Sequence, residues 1–592
     1  MKVIGPLFLW VCISVSCEKQ GKFPRTLFEL RNDTGITFEN NLEYTEDFNP
    51  YTYRNFYNGG GVALGDINND GFLDVYFTGN IVNNQLYLNK GDWQFENITS
   101  QSGVACENVW STGATFVDIN HDGWLDLYVC KSGKNEGTNR HNELFINNGD
   151  LTFTDQSQKY GLDITGLAVH SAFFDYDKDG DLDCYLLNNS LRSIGAHDLI
   201  ENQRNISDPE GNKFLRNGKF VDFSSKAGIY SSKIGFGLGV TLSDFNNDSW
   251  PDLFISNDFF ERDYLYINDQ LGGFKESLED KFSSISLGSM GADASDLNND
   301  LLTDLMVTEM LPATLARQRT KAVFDSRDKY SLALNKGYFH QYPRNVLQRN
   351  FGKNGFLEIG RFAGVSASEW SWASLAFDMD NDGLRDFLIS NGIYKDLVDR
   401  DYLTYMANEE NIRNLINKDE EVLKKLIDII PSQAVPNAVY KNIGDFSFEE
   451  TATAWGLDQP SFSNGSAYGD LDNDGDLDMV INNVNMHAFV YENNTDTLTH
   501  RSIRLNFRSN GKNTSAIGTK AIIKYGQGRQ SMAENFPSRG FQSSVGPGIH
   551  FGVGNYRFID SLIIIWPNGA RTVRTNLSTN RQYTLDQPEI FN

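Results

Sequence analysis

The chain of 592 residues is too long for one ordinary hydrophobic core, so a large unit plus at least one smaller domain is expected. With 40% apolar and 13% aromatic residues the composition is globular, and 52 glycines among many Asn and Asp residues require frequent tight turns. A formal net charge of −26 excludes nucleic acid as the main partner, since phosphate binding needs a basic footprint, and suits a chain that neutralises carboxylates with bound cations.

In chain order, residues 1–17 read as an export signal: Lys2, an apolar run from Val3 to Val15, then Ser16 and Cys17. The run is too short to span a bilayer. A small residue directly before a cysteine is the lipobox pattern, in which Cys17 carries the lipid, although Ser14 stands where such signals usually carry Leu. The expectation is an exported lipoprotein of the cell envelope, at the outer membrane or cell surface, touching the membrane through its anchor alone; plain secretion is the alternative. Residues 18–26 form a linker. Cys12 lies in the signal, and Cys106, Cys130 and Cys184 lack metal-ligand spacing, so they read as buried thiols with a Cys106–Cys130 bridge left open.

From residue 27 to 497 one nine-residue pattern organises the chain. It carries Asp at positions 1, 5 and 9, Asp or Asn at 3, and usually Gly at 6. The seven copies place these side chains at Asp66, Asn68, Asp70, Asp74; Asp118, Asn120, Asp122, Asp126; and Asp175, Asp177, Asp179, Asp183. They continue at Asp244, Asn246, Asp248, Asp252; Asp296, Asn298, Asp300, Asp304; Asp378, Asp380, Asp382, Asp386; and Asp470, Asp472, Asp474, Asp478. A small-residue-rich run precedes each copy and a short apolar run follows it. Then come a Leu-Tyr-x-Asn-like segment and a Phe with a Gly eight residues on, as at Phe95/Gly103 and Phe448/Gly456. Four short strands per unit predict an all-β, seven-bladed β-propeller. The seventh unit lacks its trailing Phe…Gly strand, and a similar strand at Phe28 is expected to complete it and close the ring.

Two stretches exceed a blade. Residues 313–349 carry eight basic residues, among them Arg317, Arg319, Lys321 and Lys329, against Asp325 and Asp328. Residues 397–431 predict a helical insertion between the last two blades, with Leu403, Met406, Ile412, Leu415, Val422, Leu426 and Ile430 near helical spacing and Pro431 as a stop. Residues 498–592 are expected to form a small β-rich domain.

Oxygen ligands at positions 1, 3 and 5, the position-7 carbonyl and Asp at 9 suit calcium, and Gly at 6 supplies the positive φ of a sharp turn. An EF-hand opens similarly but needs Glu at position 12 and flanking helices. Zinc does not fit, for the loops hold no Cys and only His121, at a non-ligating position. Three or four ionised carboxylates per loop would repel by about 4 kcal/mol per pair at ~4 Å without a counter-ion. Up to seven Ca2+ ions are therefore expected. The loops at 244–252 and 296–304 depart most, with Ser249 and Leu301 at position 6.

These residues resemble the FG-GAP/VCBS repeat family of seven-bladed propellers with calcium loops, as in integrin α-subunit heads. The tail resembles the ASPIC/UnbV domain through Gly518-Thr519-Lys520, Gly540-Phe541-Gln542-Ser543, His550-Phe551-Gly552-Val553-Gly554 and Trp566-Pro567-Asn568-Gly569. Together they resemble the envelope relatives of the cartilage acidic protein family, which implies extracellular adhesion or matrix binding. The resulting expectation is a non-catalytic, calcium-stabilised surface protein that recognises a glycan or protein partner, with oligomeric state open. The basic 313–349 stretch together with Trp370 and Trp372 forms a candidate surface for acidic polysaccharide. The alternatives are a polysaccharide-acting enzyme and a scaffold of an envelope complex. No G-x-S-x-G, H-E-x-x-H or phosphate loop supports catalysis.

Overall fold

The computed structural model describes residues 25–133, 140–190, 204–321, 326–410 and 422–589. The expected export signal at residues 1–17, with Cys17, lies outside them.

Every acidic loop joins the first and second strands of a four-stranded antiparallel blade, and in blade 1 the strands Ser543–Ser544 and Ser538–Arg539 extend that sheet to six. Blade 1 is Val62–Gly65, Asp74–Phe77, Gln85–Asn89 and Phe95–Asn97. Blades 2 to 6 repeat this order from first strands Trp110–Val117, Ala168–Phe174, Gly237–Ser243, Ala292–Ser295 and Ser371–Phe377. Blade 7 takes Ser463–Gly469, Asp478–Asn483 and Phe489–Asn493, and its outer strand is Phe28–Leu30, with Phe28 opposite Asn493. The first strands of successive blades lie side by side, and that of blade 7 lies beside that of blade 1, so the described residues form a closed ring of propeller blades.

The small-residue runs follow from this packing. A Cβ on Gly113 would lie 2.6 Å from the Val169 carbonyl oxygen, and one on Gly291 2.5 Å from that of Trp372, so neighbouring inner strands meet backbone to backbone. The Phe…Gly spacing has its own cause. The outer strand runs into a one-turn helix, and the glycine takes the left-handed C-cap, with φ of 75° at Gly103 and 82° at Gly456.

The stretch at 313–349 holds helices Leu315–Lys321 and Arg327–Asn335, but its end already belongs to the third strand of blade 5, Val346–Asn350. The predicted insertion between the last two blades needs correction. Its helices Arg400–Met406 and Val422–Asp428 leave from the second strand of blade 6, Asp386–Asn391, and return to the third, Ala438–Asn442. They lie inside one blade, where a connection can lengthen without parting the inner strands; Ile412 and Leu415 lie outside the described residues. Cys106, Cys130 and Cys184 are free and buried, and the Cys106 thiol donates to Glu143 Oε2 at 2.9 Å, so they form no bridge. No helix among the described residues is long and apolar enough to cross a membrane.

The C-terminal strands, from Arg501–Arg508 to Arg581–Asp586, form two sheets around Ile503, Leu505, Ile523, Phe551, Leu562 and Trp566. A hairpin of Ser538–Arg539 and Ser543–Ser544 leaves these sheets and enters the ring. Ser538 Oγ donates to the Ser171 carbonyl at 3.0 Å, Ser544 Oγ donates to that of Ala114 at 3.1 Å, and Gly540 bridges to Ala292. The hairpin thus bonds the inner strands of several blades at once. At its tip Phe541 is fully buried, with its ring 5.1 Å from that of Trp372.

Candidate metal centres

Within each loop the backbone first folds onto the aspartates. Position 1 accepts the N–H groups of positions 5 and 6 in most copies, as at Asp66, where Asp70 donates at 3.1 Å and Gly71 at 2.8 Å. The predicted positive φ at position 6 is present at Gly71 (94°), Gly383 (96°) and Gly475 (100°). Ser249 at 71° and Leu301 at 69° hold it too, without glycine's freedom. Position 4 is also left-handed in every copy, from 58° at Asn69 to 65° at His121. Sequence reasoning missed this, although Asn fills five of the copies and Asn enters that region more readily than most residues.

Position 9 secures the loop to the blade. In blade 6, Asp386 Oδ2 accepts the Met379 N–H at 3.0 Å and its Oδ1 accepts that of Asn442 at 2.7 Å, and the other six copies repeat the pair. Each oxygen keeps a second lone pair for a cation. The Asn that ends the third strand does more than end it. Asn442 Nδ2 donates to the Leu297 carbonyl at 2.8 Å in the preceding blade and to that of Arg385 at 3.0 Å. Asn89, Asn147, Asn268, Asn350 and Asn493 likewise tie one loop to its neighbour.

Three loops bring acid oxygens within 4.8 Å of one another: Asp175, Asp177 and Asp183; Asp378, Asp380 and Asp386; Asp470, Asp472 and Asp478. These copies have Asp at position 3. In the remaining four, Asn68, Asn120, Asn246 and Asn298 instead donate to the position-5 carboxylate at 2.7–2.9 Å. Asp175 Oδ1, Asp177 Oδ1, Asp380 Oδ1 and Asp470 Oδ1 are buried without a hydrogen-bond partner. Burial foremost, with adjacent carboxylates adding, pushes Asp175 up to about 7, Asp183 to about 8 and Asp470 to about 6. Orphaned buried oxygens and carboxyls disfavoured as anions are what an oxygen-seeking cation relieves, so these three groups fit a metal ion. Asp476, at position 7 of the last loop, also leaves a buried Oδ1 unpartnered; its signal was simply Asp at that position.

Basic side chains reach two acids of these same groups through their second carboxylate oxygens. Arg216 lies 2.7 Å from Asp177, and Lys441 contacts Asp380 and Asp382. Blade 4 differs in kind. Lys520, paired across strands with Glu534 in the C-terminal sheet, sends its ammonium 2.6 Å from Asp244 Oδ2 and 3.2 Å from Glu534 Oε1, and all three side chains are buried. The C-terminal domain also reaches the other loops, with Thr514 Oγ1 donating to Asp118 Oδ2 at 2.7 Å and His550 Nε2 lying 2.7 Å from Asn381 Oδ1. A fourth group, His141, Glu143 and Asp155, lies on blade 2, where Glu143 is already taken by Lys131 at 2.8 Å and by Cys106.

Comparison with known proteins agrees with this anatomy. Residues 66–129 and 244–307 match the FG-GAP-like repeat, and residues 509–590 match the ASPIC and UnbV family. Cartilage acidic protein 1 of Xenopus tropicalis is 28% identical over 241 residues, 40% of this chain and 34% of that protein. Its Homo sapiens counterpart is 27% identical over 203 residues, 34% of this chain and 28% of that protein. These matches therefore span about a third of the relatives' length. Among solved structures, an Agrocybe aegerita lectin that recognises non-reducing terminal N-acetylglucosamine aligns with 66% of this chain and 79% of its own, at 13% identity and a TM-score of 0.35. The chain is a protein of FG-GAP-like repeats with an ASPIC and UnbV domain after them, homologous over part of its length to cartilage acidic protein 1.

Proposed function

We propose that this protein is a calcium-stabilised binding module of the cell envelope or surface, without catalytic activity of its own. The observation that carries the reading is the set of buried, unpartnered carboxylate oxygens in the loops of blades 3, 6 and 7. All-oxygen donor sets favour calcium over zinc, and the expected affinity is in the extracellular range, on the order of 0.1–1 mM. Calcium here holds loops between strands, and the partner, a glycan or a protein, docks elsewhere. The C-terminal domain covers the loop face, which leaves the opposite face for that partner. The membrane enters only through a lipid on Cys17.

The basic insertion supports an acidic ligand less than its composition suggests. Arg317 pairs with Glu369, Lys321 with Asp396 and Asp399, and Arg344 with Glu358. Calcium titration by calorimetry, with melting curves in calcium and in chelator, tests the metal; equal melting temperatures would defeat that half of the proposal. Binding of the calcium-loaded chain to intact cell surfaces tests the other half.

A further inference from the structure

Each inner strand starts on the face away from the acidic loops. There Leu167, Phe236, Met290 and Trp372, within two residues of those starts, line a cavity of about 820 Å³. That volume lies within the usual range for small-molecule sites, roughly 300–1,000 Å³. Trp372 in its wall packs on Phe541 at the tip of the inserted hairpin.

Its walls combine two chemistries. Tyr53, Tyr57, Phe259, Trp370 and Trp372 contribute ring surface. Among them stand Arg54, whose guanidinium lies 4.6 Å above Phe259, and the carboxylates Asp258 and Glu309. Trp370 Nε1 is buried and has no hydrogen-bond partner. Gly288 lies against both acids: a Cβ there would come within 2.8 Å of Met310 Cε, 2.9 Å of Asp258 Oδ1 and 3.5 Å of Glu309 Oε1, so only glycine leaves the acid oxygens uncrowded.

This mixture selects a ligand class by elimination. An apolar ligand would strip water from Asp258 and Glu309 and leave the Trp370 N–H unpartnered, at about 1–3 kcal/mol for each polar group left unpaired. An organic anion would press on Asp258 in a wall where burial already disfavours negative charge on both acids. An organic cation would meet Arg54, whose guanidinium stands over the Phe259 ring in the cavity wall. A neutral polyol satisfies both sets of groups, since each hydroxyl donates and accepts. A pyranose adds flat C–H faces for the rings.

We propose that the cavity binds a neutral saccharide, a short segment or chain end, with its C–H faces on Trp370 and neighbouring rings and its hydroxyls shared among Asp258, Glu309 and the Trp370 N–H. The inference rests on the surface-binding reading and names its ligand and its place.

The full chain in millimolar calcium, titrated with a panel of neutral oligosaccharides such as maltotriose and N,N′,N″-triacetylchitotriose, and with trigalacturonate as the charged control, provides the test. Tryptophan fluorescence and calorimetry are the readouts. A neutral oligosaccharide should bind, and Trp370→Ala and Glu309→Gln should each weaken it about tenfold or more. Gly288→Ala, whose methyl would crowd Asp258 and Met310 at the acid side of the cavity, should weaken it as well, with a cooperative melting transition in calcium showing that the variant folds. Tighter binding of trigalacturonate than of every neutral sugar overturns the proposal. So does neutral-sugar binding that all three variants leave unchanged, or a neutral panel that stays blank while the protein still holds cell surfaces; in those cases the surface-binding reading stands. Failure to bind either sugars or cell surfaces removes both.

Discussion

At the scale of single residues, Lys520 shows how a loop built for a cation can be served from within. Its ammonium sits between Asp244 and Glu534, with side-chain exposures of 6%, 4% and 8% for the three groups. Removing one partner of a buried ion group leaves the others uncompensated, at a cost of about 3–5 kcal/mol. Lys520→Met should therefore lower the melting temperature sharply, and calcium should recover part of the loss by entering the vacated loop. Melting curves of the variant with and without calcium check this. The carboxyls of blade 3 yield a second expectation. Folding holds Asp175 at about 7 and Asp183 at about 8, so as pH rises the unfolded chain releases these protons first. The metal-free protein should then lose stability progressively from about pH 4 to about pH 8 and level off above it. Saturating calcium should flatten that slope. A chelator-treated sample whose melting point is unchanged from pH 5 to pH 8 would contradict it.

At the scale of the element, each loop demands two left-handed residues, and the seven copies meet the demand unequally. Leu301 holds φ of 69°, a conformation that costs a non-glycine residue roughly 1–2 kcal/mol. Leu301→Gly should raise stability by about 0.5–1 kcal/mol, after the greater freedom of glycine in the unfolded chain is discounted; chemical denaturation compares the two proteins. What could be read in advance follows from range. The aspartate spacing, the Gly at position 6 and the Phe…Gly offset are set within a few neighbouring residues, so they stood in plain view. The blade-to-blade role of Asn442 depends on Leu297, and that of Asn89 on Leu471, partners 145 and 382 residues away, and no local spacing announces them. The helices of 397–431 interrupt the repeat and so read as a gap between blades, whereas only strand pairing reveals that they interrupt a single sheet.

At the scale of the molecule, the ring is closed twice. Phe28–Leu30 supplies the outer strand of blade 7, which ties the two ends of the repeat region together. The hairpin at Ser538–Ser544 then bonds to the inner strands, and Arg539 pairs with the fully buried Asp293 at 2.7 Å. Since ring and C-terminal sheets share these contacts, calorimetry of the full chain should show one cooperative transition. Two well-separated transitions would mean that the hairpin contributes little to holding the parts together. The placement of that hairpin also bears on how the protein is made. Every blade strand has been synthesised by Asn493, yet the residues that occupy the hub emerge only afterwards. A chain cut short at that point would possess all its vanes and no axle.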